Sequence, residues 1–87
     1  MSITRCQWDL DEDPAGNVQH IADHGLTKED AEHALEHGIP AEPSRSSGLP
    51  LVFGPAIDGR VIAVIFEIVD DETVCPITAY EPTEERA

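Results

Sequence analysis

The sequence is poor in basic residues, in aromatic residues and in long apolar runs. Five of its 87 residues are Lys or Arg against 18 Asp or Glu, which gives a formal net charge of −13. So acidic a surface repels phosphate backbones over a Debye length of roughly 8 Å at physiological salt. It disfavours nucleic acid and favours a basic protein or divalent cations as partners. Adaptation to high salt is an equally good explanation of the same composition.

The other scarcities bound the class of protein. No run reaches the roughly 18 apolar residues of a membrane span, and residues 1–5 do not begin a signal peptide, so a cytoplasmic protein without membrane contact is expected. Cys6 and Cys75 have no CxxC partner, which predicts two reduced thiols. The length predicts a single domain over residues 1–87, with one modest core and a frayed tail at residues 81–87.

All four histidines fall in two similar stretches. HIADHGLT begins at His20, and HALEHGIP begins at His33. Each histidine pair is spaced i, i+4, so its two rings share one helix face. The pairs are either parts of a site or two similar helix endings, because a side chain that can carry positive charge complements a helix terminus just before a C′ glycine.

Two short helices are predicted after a strand at residues 5–9. Asp13 is expected to be the N-cap of the first helix, with Pro14 at its first position. Gly25 is expected to end that helix as a C′ glycine, with Leu26 closing a Schellman motif.

The second helix has a clear start signal. Thr27 and Asp30 predict a capping box in which Asp takes the usual place of Glu. Gly38 is expected to end this helix as Gly25 ends the first. Residues 40–50, with three prolines and three serines, predict a loop.

Three strands are predicted in the second half of the chain. Residues 51–56 form the first, and Asp58-Gly59 predicts a hairpin turn. Residues 60–69 are apolar on both faces, which predicts a central strand that is at least partly covered on both sides. Residues 73–80 form the last strand, where Pro76 implies an edge position or a bulge. The expected fold is α+β, with two helices on one face of a small antiparallel sheet in the order β-α-α-β-β-β.

Several short motifs follow one another in a recognisable order over residues 8–81. They are Trp8-Asp9, Asn17, His24-Gly25, the acid-rich turn after Thr27, Asp58-Gly59-Arg60 and Ile77-Thr78-Ala79-Tyr80. In this order the chain resembles the BrnT-type toxins, small ribonucleases of bacterial toxin–antitoxin pairs with a RelE/ParE-like fold. The resemblance implies that fold, a metal-independent RNA endonuclease activity with no cofactor, and an antitoxin partner.

The departures from the family pattern fall among its basic residues. Asp23 stands where a lysine usually precedes the His-Gly, and Tyr80 and Glu81 replace closing arginines. The segment from Asn17 to His24 is also three residues longer than in the family. A ribonuclease must deprotonate a 2′-hydroxyl, stabilise charge on the phosphate and protonate a leaving oxygen. The substitutions therefore remove the cations that would hold the phosphate.

The resemblance still implies roles for five residues. His24, near a helix C-terminus whose dipole favours the protonated ring, would be the general acid or base, with His20 as its partner. Arg45 and Arg60 are the central cations available to hold phosphate, and Tyr80 would donate a hydrogen bond. Structural roles compete with each of these: helix-end complementarity for His24, charge balance in the hairpin for Arg60, and coverage of the core for Tyr80.

Two other functions remain open at this stage. Either histidine pair could clamp Zn²⁺ or Ni²⁺ with help from carboxylates, although there is no HExxH motif. Alternatively, the chain is a non-catalytic, acidic protein-binding module of toxin-like fold. Such a module would keep the surface for a small basic partner and lose the nuclease.

Overall fold

The computed structural model describes residues 5–43 and 48–82. In chain order these residues form β1 (Arg5–Cys6), α1 (Asn17–Ala22), α2 (Lys28–His37), β2 (Ile39–Ala41), β3 (Leu51–Pro55), β4 (Val61–Ile68) and β5 (Thr73–Tyr80). Within them, one five-stranded sheet has the order β1-β5-β4-β3-β2. The α+β class is confirmed. No helix in the described residues is long and apolar enough to cross a membrane.

The sheet differs from the antiparallel one expected. β1 runs parallel to β5, with Arg5 opposite Thr73 and Cys6 opposite Val74, so the sheet is mixed. β1 is also shorter than the strand predicted at residues 5–9. β2 is an additional edge strand, antiparallel to β3, in a segment that the sequence assigned to a loop.

The two helices end differently, although their sequences are alike. Gly25 has φ +77°, and its N–H and that of Leu26 donate to the carbonyls of Ala22 and Ile21 at 2.9 and 3.1 Å. This confirms the predicted Schellman motif. The expectation of the same ending at Gly38 is wrong, because its φ of −88° is extended backbone that leads directly into β2.

The prediction of the start of α1 is also wrong. The Asp13 carboxylate accepts a hydrogen bond from the Ala15 N–H at 3.0 Å, which makes a turn and not a helix N-cap. The helix begins three residues later than predicted, at Asn17, after Gly16 at the N-cap position. At that point the first N–H of the helix donates to the Asp9 carboxylate at 2.9 Å.

The predicted capping box of α2 is confirmed. The Thr27 hydroxyl accepts from the Asp30 N–H, and the Asp30 carboxylate accepts from the Thr27 N–H. The second carboxylate oxygen of Asp30 accepts from the Ile57 N–H at 3.1 Å. The start of α2 is thereby attached to the hairpin between β3 and β4, in which Gly59 has φ +94°.

β4 lies at the centre of the sheet, as its composition predicts. Ile62, Val64 and Phe66 point toward the helices and are fully buried. They share one apolar cluster with residues of both helices and of the neighbouring strands: Ile21, Leu26, Ala31, Ala34, Leu35, Val52, Ala56, Val74 and Ala79. The core therefore lies between this face of the sheet and the two helices.

Pro76 produces the bulge that its lack of an N–H predicts. Phe66 is opposite Pro76 and Ile65 is opposite Thr78, so Ile77 is an extra residue without a partner in β4. The bulge turns the last residues of β5, and Ala79 returns to the core while Tyr80 lies opposite Ala63.

The packing of α2 on β3 depends on two glycines. A Cβ on Gly54 would overlap the Ala34 carbonyl oxygen and lie 2.8 Å from the Cα of Gly38. A Cβ on Gly38 would lie 2.6 Å from the carbonyl oxygen of Phe53. The helix and the strand can therefore approach closely only while both positions lack a side chain.

We predict that Gly54→Ala destabilises the fold by about 1–3 kcal/mol, because the added methyl group meets backbone that cannot move aside. Urea unfolding followed by circular dichroism measures this change. Gly25→Asn is the matched control, since the space around Gly25 is open and Asn tolerates its left-handed conformation. An equal or smaller loss for Gly54→Ala than for the control would contradict the close approach.

Candidate functional site

A cleft of about 290 Å³ lies between the start of α1 and the bulge of β5. Its lining comes from the chain after β1, from α1 and from β5: Asp9, Ala15, Gly16, Asn17, His20, Cys75, Pro76 and Ile77. The cleft thus brings together a carboxylate, an amide, an imidazole and a thiol.

Asn17 forms the inner wall of this cleft and is only 8% exposed. Its side-chain N–H groups donate to the carbonyls of Pro76 at 2.9 Å and Gln7 at 3.1 Å. Its side-chain oxygen accepts from the Asp9 N–H at 2.9 Å. Both ends of the amide are satisfied within the protein, so Asn17 positions the cleft and is not available to a ligand.

The three predicted site residues His20, His24 and Tyr80 lie together. The ring centroids of His20 and His24 are 5.7 Å apart, and those of His24 and Tyr80 are 6.3 Å apart. His20 is exposed at the cleft, whereas the other two side chains are half-buried. The corner formed by the end of α1 and the end of β5 therefore holds groups suited to proton transfer.

Arg60 is occupied by carboxylates. Its Nε donates to Asp58 and its Nη1 to Glu81, both at 2.7 Å. The hydrogen bond to Glu81 and then that to Asp58 raise the pKa of the guanidinium above its ordinary value. Glu81, predicted to begin a frayed tail, is held to the sheet by this pair, while residues 83–87 lie outside the described part of the chain.

The other cations offer no phosphate clamp in the described residues. Lys28 forms an ion pair with Asp11 at 3.1 Å, and the Arg5 Nε donates to the Thr73 hydroxyl at 3.0 Å. Arg45, predicted to hold phosphate, lies outside the described residues. The structure therefore groups the acid–base candidates, and the guanidinium of Arg60 next to this group is already paired with Glu81 and Asp58.

The second histidine pair lies on α2. The rings of His33 and His37 have centroids 4.5 Å apart, and the His33 Nδ1 is 2.8 Å from the Pro55 carbonyl oxygen. Within residues 5–43 and 48–82, no three His, Cys, Asp or Glu side chains are grouped so that they could hold a metal ion. Neither histidine pair thus gains the carboxylate ligands that a metal site needs.

The two thiols are free and poorly suited to nucleophilic chemistry. Burial raises the pKa of Cys6 to about 11, with the charge of Glu32 adding to the effect. Burial also raises the pKa of Cys75, the thiol that lines the cleft. Since the thiolate is the reactive form, the cleft does not supply an activated cysteine.

The pairing of Asp9 with Asn17 is not predicted by the motifs of the sequence. The sequence singles out Asn17 only as a loose match to a family motif, and Asp9 only as the residue that follows Trp8. Their two reciprocal hydrogen bonds join positions eight residues apart. A polar pair that brackets a turn-rich segment is the one signal in the sequence that could have indicated this contact.

Comparison with known proteins does not identify the chain: no protein-family model, curated protein or solved structure matches it. Its function must therefore be argued from its own residues and from the motifs quoted above.

We predict that Asn17→Ala destabilises the protein by about 1–3 kcal/mol, because it leaves the buried Pro76 carbonyl without a donor. Gln19→Ala removes an amide of similar size from the exposed side of the same helix and should change stability by less than about 0.5 kcal/mol. Urea unfolding of both variants makes the comparison. Equal effects would show that the Asn17 contacts do not stabilise the fold.

The raised pKa of Cys6 predicts slow alkylation. With a pKa of about 11 against an ordinary 9.0, the folded protein at pH 8 has roughly 100-fold less thiolate at Cys6 than the unfolded chain. Iodoacetamide labelling followed by mass spectrometry, with and without denaturant, measures the ratio. The folded state holds the proton more tightly, so this contribution to stability is present below pH 9 and is lost as the pH rises toward 11. Equal labelling rates would contradict the burial of the thiol.

Proposed function

We propose that this chain is a toxin-like protein of the BrnT type that acts by binding a small basic protein, its antitoxin. The motif order over residues 8–81 supports the family. The ion pairs of Arg60 are the observation that favours protein binding over RNA cleavage. The guanidinium that the resemblance assigns to phosphate is already paired with Asp58 and Glu81.

RNA competes poorly for such a cation. A phosphate must share the guanidinium with two carboxylates that already lie 2.7 Å from it, and must approach a chain whose net charge is −13. Lys28 gives no alternative, since Asp11 holds it. Within the described residues, the site therefore offers little of the electrostatic stabilisation that phosphoryl transfer requires.

For a basic protein, the electrostatic effect of the same surface is attractive. Its Lys and Arg side chains are attracted to the acidic surface over a distance of about a Debye length, which speeds association at low salt. The replacement of arginine by Tyr80 and Glu81 costs such an interaction nothing and adds one more carboxylate.

The second candidate is a metal-independent RNA endonuclease, and the grouping of His20, His24 and Tyr80 favours it. The ring centroid of His24 lies 5.7 Å from that of His20 and 6.3 Å from that of Tyr80. These two imidazoles and the phenol could divide the roles of general base and general acid. This candidate needs a phosphate-binding cation, for which Arg45 is available in the sequence.

The two candidates predict opposite results with RNA. We expect the purified, folded protein to leave RNA intact at low and at high salt with chelator present, because Arg60, the cation that the resemblance assigns to phosphate in the described residues, is paired with two carboxylates. Cleavage that His24→Ala abolishes and His37→Ala preserves would establish the nuclease instead. His37→Ala is the matched control, because His37 also precedes a glycine at a helix end.

The binding function has its own test. We expect the reading frame adjacent to that of this chain to encode a small basic protein, which should bind this chain in calorimetry with an affinity that falls as salt is raised. Absence of binding at low salt would contradict the proposal, whatever the result with RNA.

A further inference from the structure

The sheet has a second face that the helices do not cover. Cross-strand partners share a face of a sheet, and alternate residues along a strand point to opposite faces. Val52 on β3 and Val64 on β4 face the helices. The residues directly before and after each of them on its own strand therefore face away from the helices. We call this surface the open face and define it by six residues: Ile39, Leu51, Phe53, Val61, Ala63 and Ile65.

The open face is apolar and independent of the core. Ala63 and Ile65 are buried, yet they do not belong to the cluster that includes the helices. Three other residues of the same face are exposed: Ile39 by 70%, Val61 by 60% and Phe53 by 37%. Contiguous exposed apolar side chains of this kind mark interaction sites.

Carboxylates border the open face at both ends. Glu67 continues the alternation of Val61, Ala63 and Ile65 along β4 and is exposed. At the opposite end, Asp58 and Glu81 form ion pairs with Arg60, and these three side chains together carry one net negative charge. The border is therefore acidic around an apolar centre.

This border decides which occupant fits. A second copy of the chain would bring the same carboxylates and its own charge of −13 to the interface, and like charges in contact oppose association. A partner with apolar residues at its centre and Lys or Arg at its edge would match both parts of the surface. Because the other face of the sheet is already covered by helices, a helix is the element that best completes the layer.

We infer that the open face is the docking site of a basic amphipathic helix that belongs to the small partner protein. This inference rests on the proposed function, since it names the surface that the partner uses. The helix packs its apolar side on Phe53 and Val61, and its basic side chains reach Glu67 at one end and Asp58 or Glu81 at the other.

A charge placed on the open face tests the inference. In calorimetry with the protein of the adjacent reading frame, Ile39→Lys/Val61→Lys should weaken binding by at least about tenfold. The two lysines remove apolar contact and repel a basic helix. Both positions are largely exposed, so the variant should keep the stability of the parent protein in urea unfolding.

The matched control is Leu10→Lys/Ile68→Lys. It adds the same two charges at positions that are 71% and 59% exposed and lie outside the open face, so binding should change by less than about threefold. Equal losses in the two variants would overturn the inference while the proposed function stands. Failure of the parent protein to bind at all would instead contradict the proposed function.

Sedimentation equilibrium tests whether a second copy of the chain, and not a basic partner, occupies the open face. The parent chain alone should be a monomer. A dimer that Ile39→Lys/Val61→Lys dissociates would show that a second copy occupies the open face, and would overturn the assignment to a basic partner.

Discussion

The arrangement of this fold depends on the side-chain amide of Asn17. It joins the chain leaving β1, the first turn of α1 and the bulge of β5, which are far apart in sequence. Pro76 takes part in this contact, because the Asn17 amide donates to its buried carbonyl at the bulge of β5. Since Asn17 is also the first residue of α1, the same contact fixes where the helix begins. The seven steps along the chain from Asn17 to His24 advance about 10 Å at the helical rise, and the four steps from Pro76 to Tyr80 advance about 13 Å. His24 and Tyr80 therefore meet at the far end of both elements.

The parts of the fold that follow from local sequence were predictable. The capping box at Thr27, the left-handed Gly25 and the turn at Asp58-Gly59 each depend on residues within one turn of each other. The parts of the fold that were predicted wrongly depend on partners that are distant in the sequence. The chain after Gly38 becomes β2 because Gly54 lets it approach β3, and α1 starts at Asn17 because Asp9 supplies the acceptor for its first N–H. No propensity at those positions carries that information.

The candidate site divides in the same way. The i, i+4 spacing placed His20 and His24 on one helix face, and the motif order pointed to Tyr80 as their neighbour. The ion pair between Arg60 and Glu81 was not predictable, because the two residues lie 21 positions apart, one just before β4 and the other just after β5. A sequence motif records that an arginine is present, whereas its availability to a phosphate depends on which carboxylates the fold brings within reach.

The acidity of the chain and the apolar open face acquire a common explanation in partner binding. An apolar surface that remains exposed promotes non-specific association, and a strongly negative surround opposes contact between copies of the same chain. The same surround attracts a basic protein, so a single property selects against the wrong partner and for the right one. In a nuclease, the identical charge would work against the substrate at every step. The distribution of charge thus favours the proposed recognition of a basic protein over the cleavage of RNA.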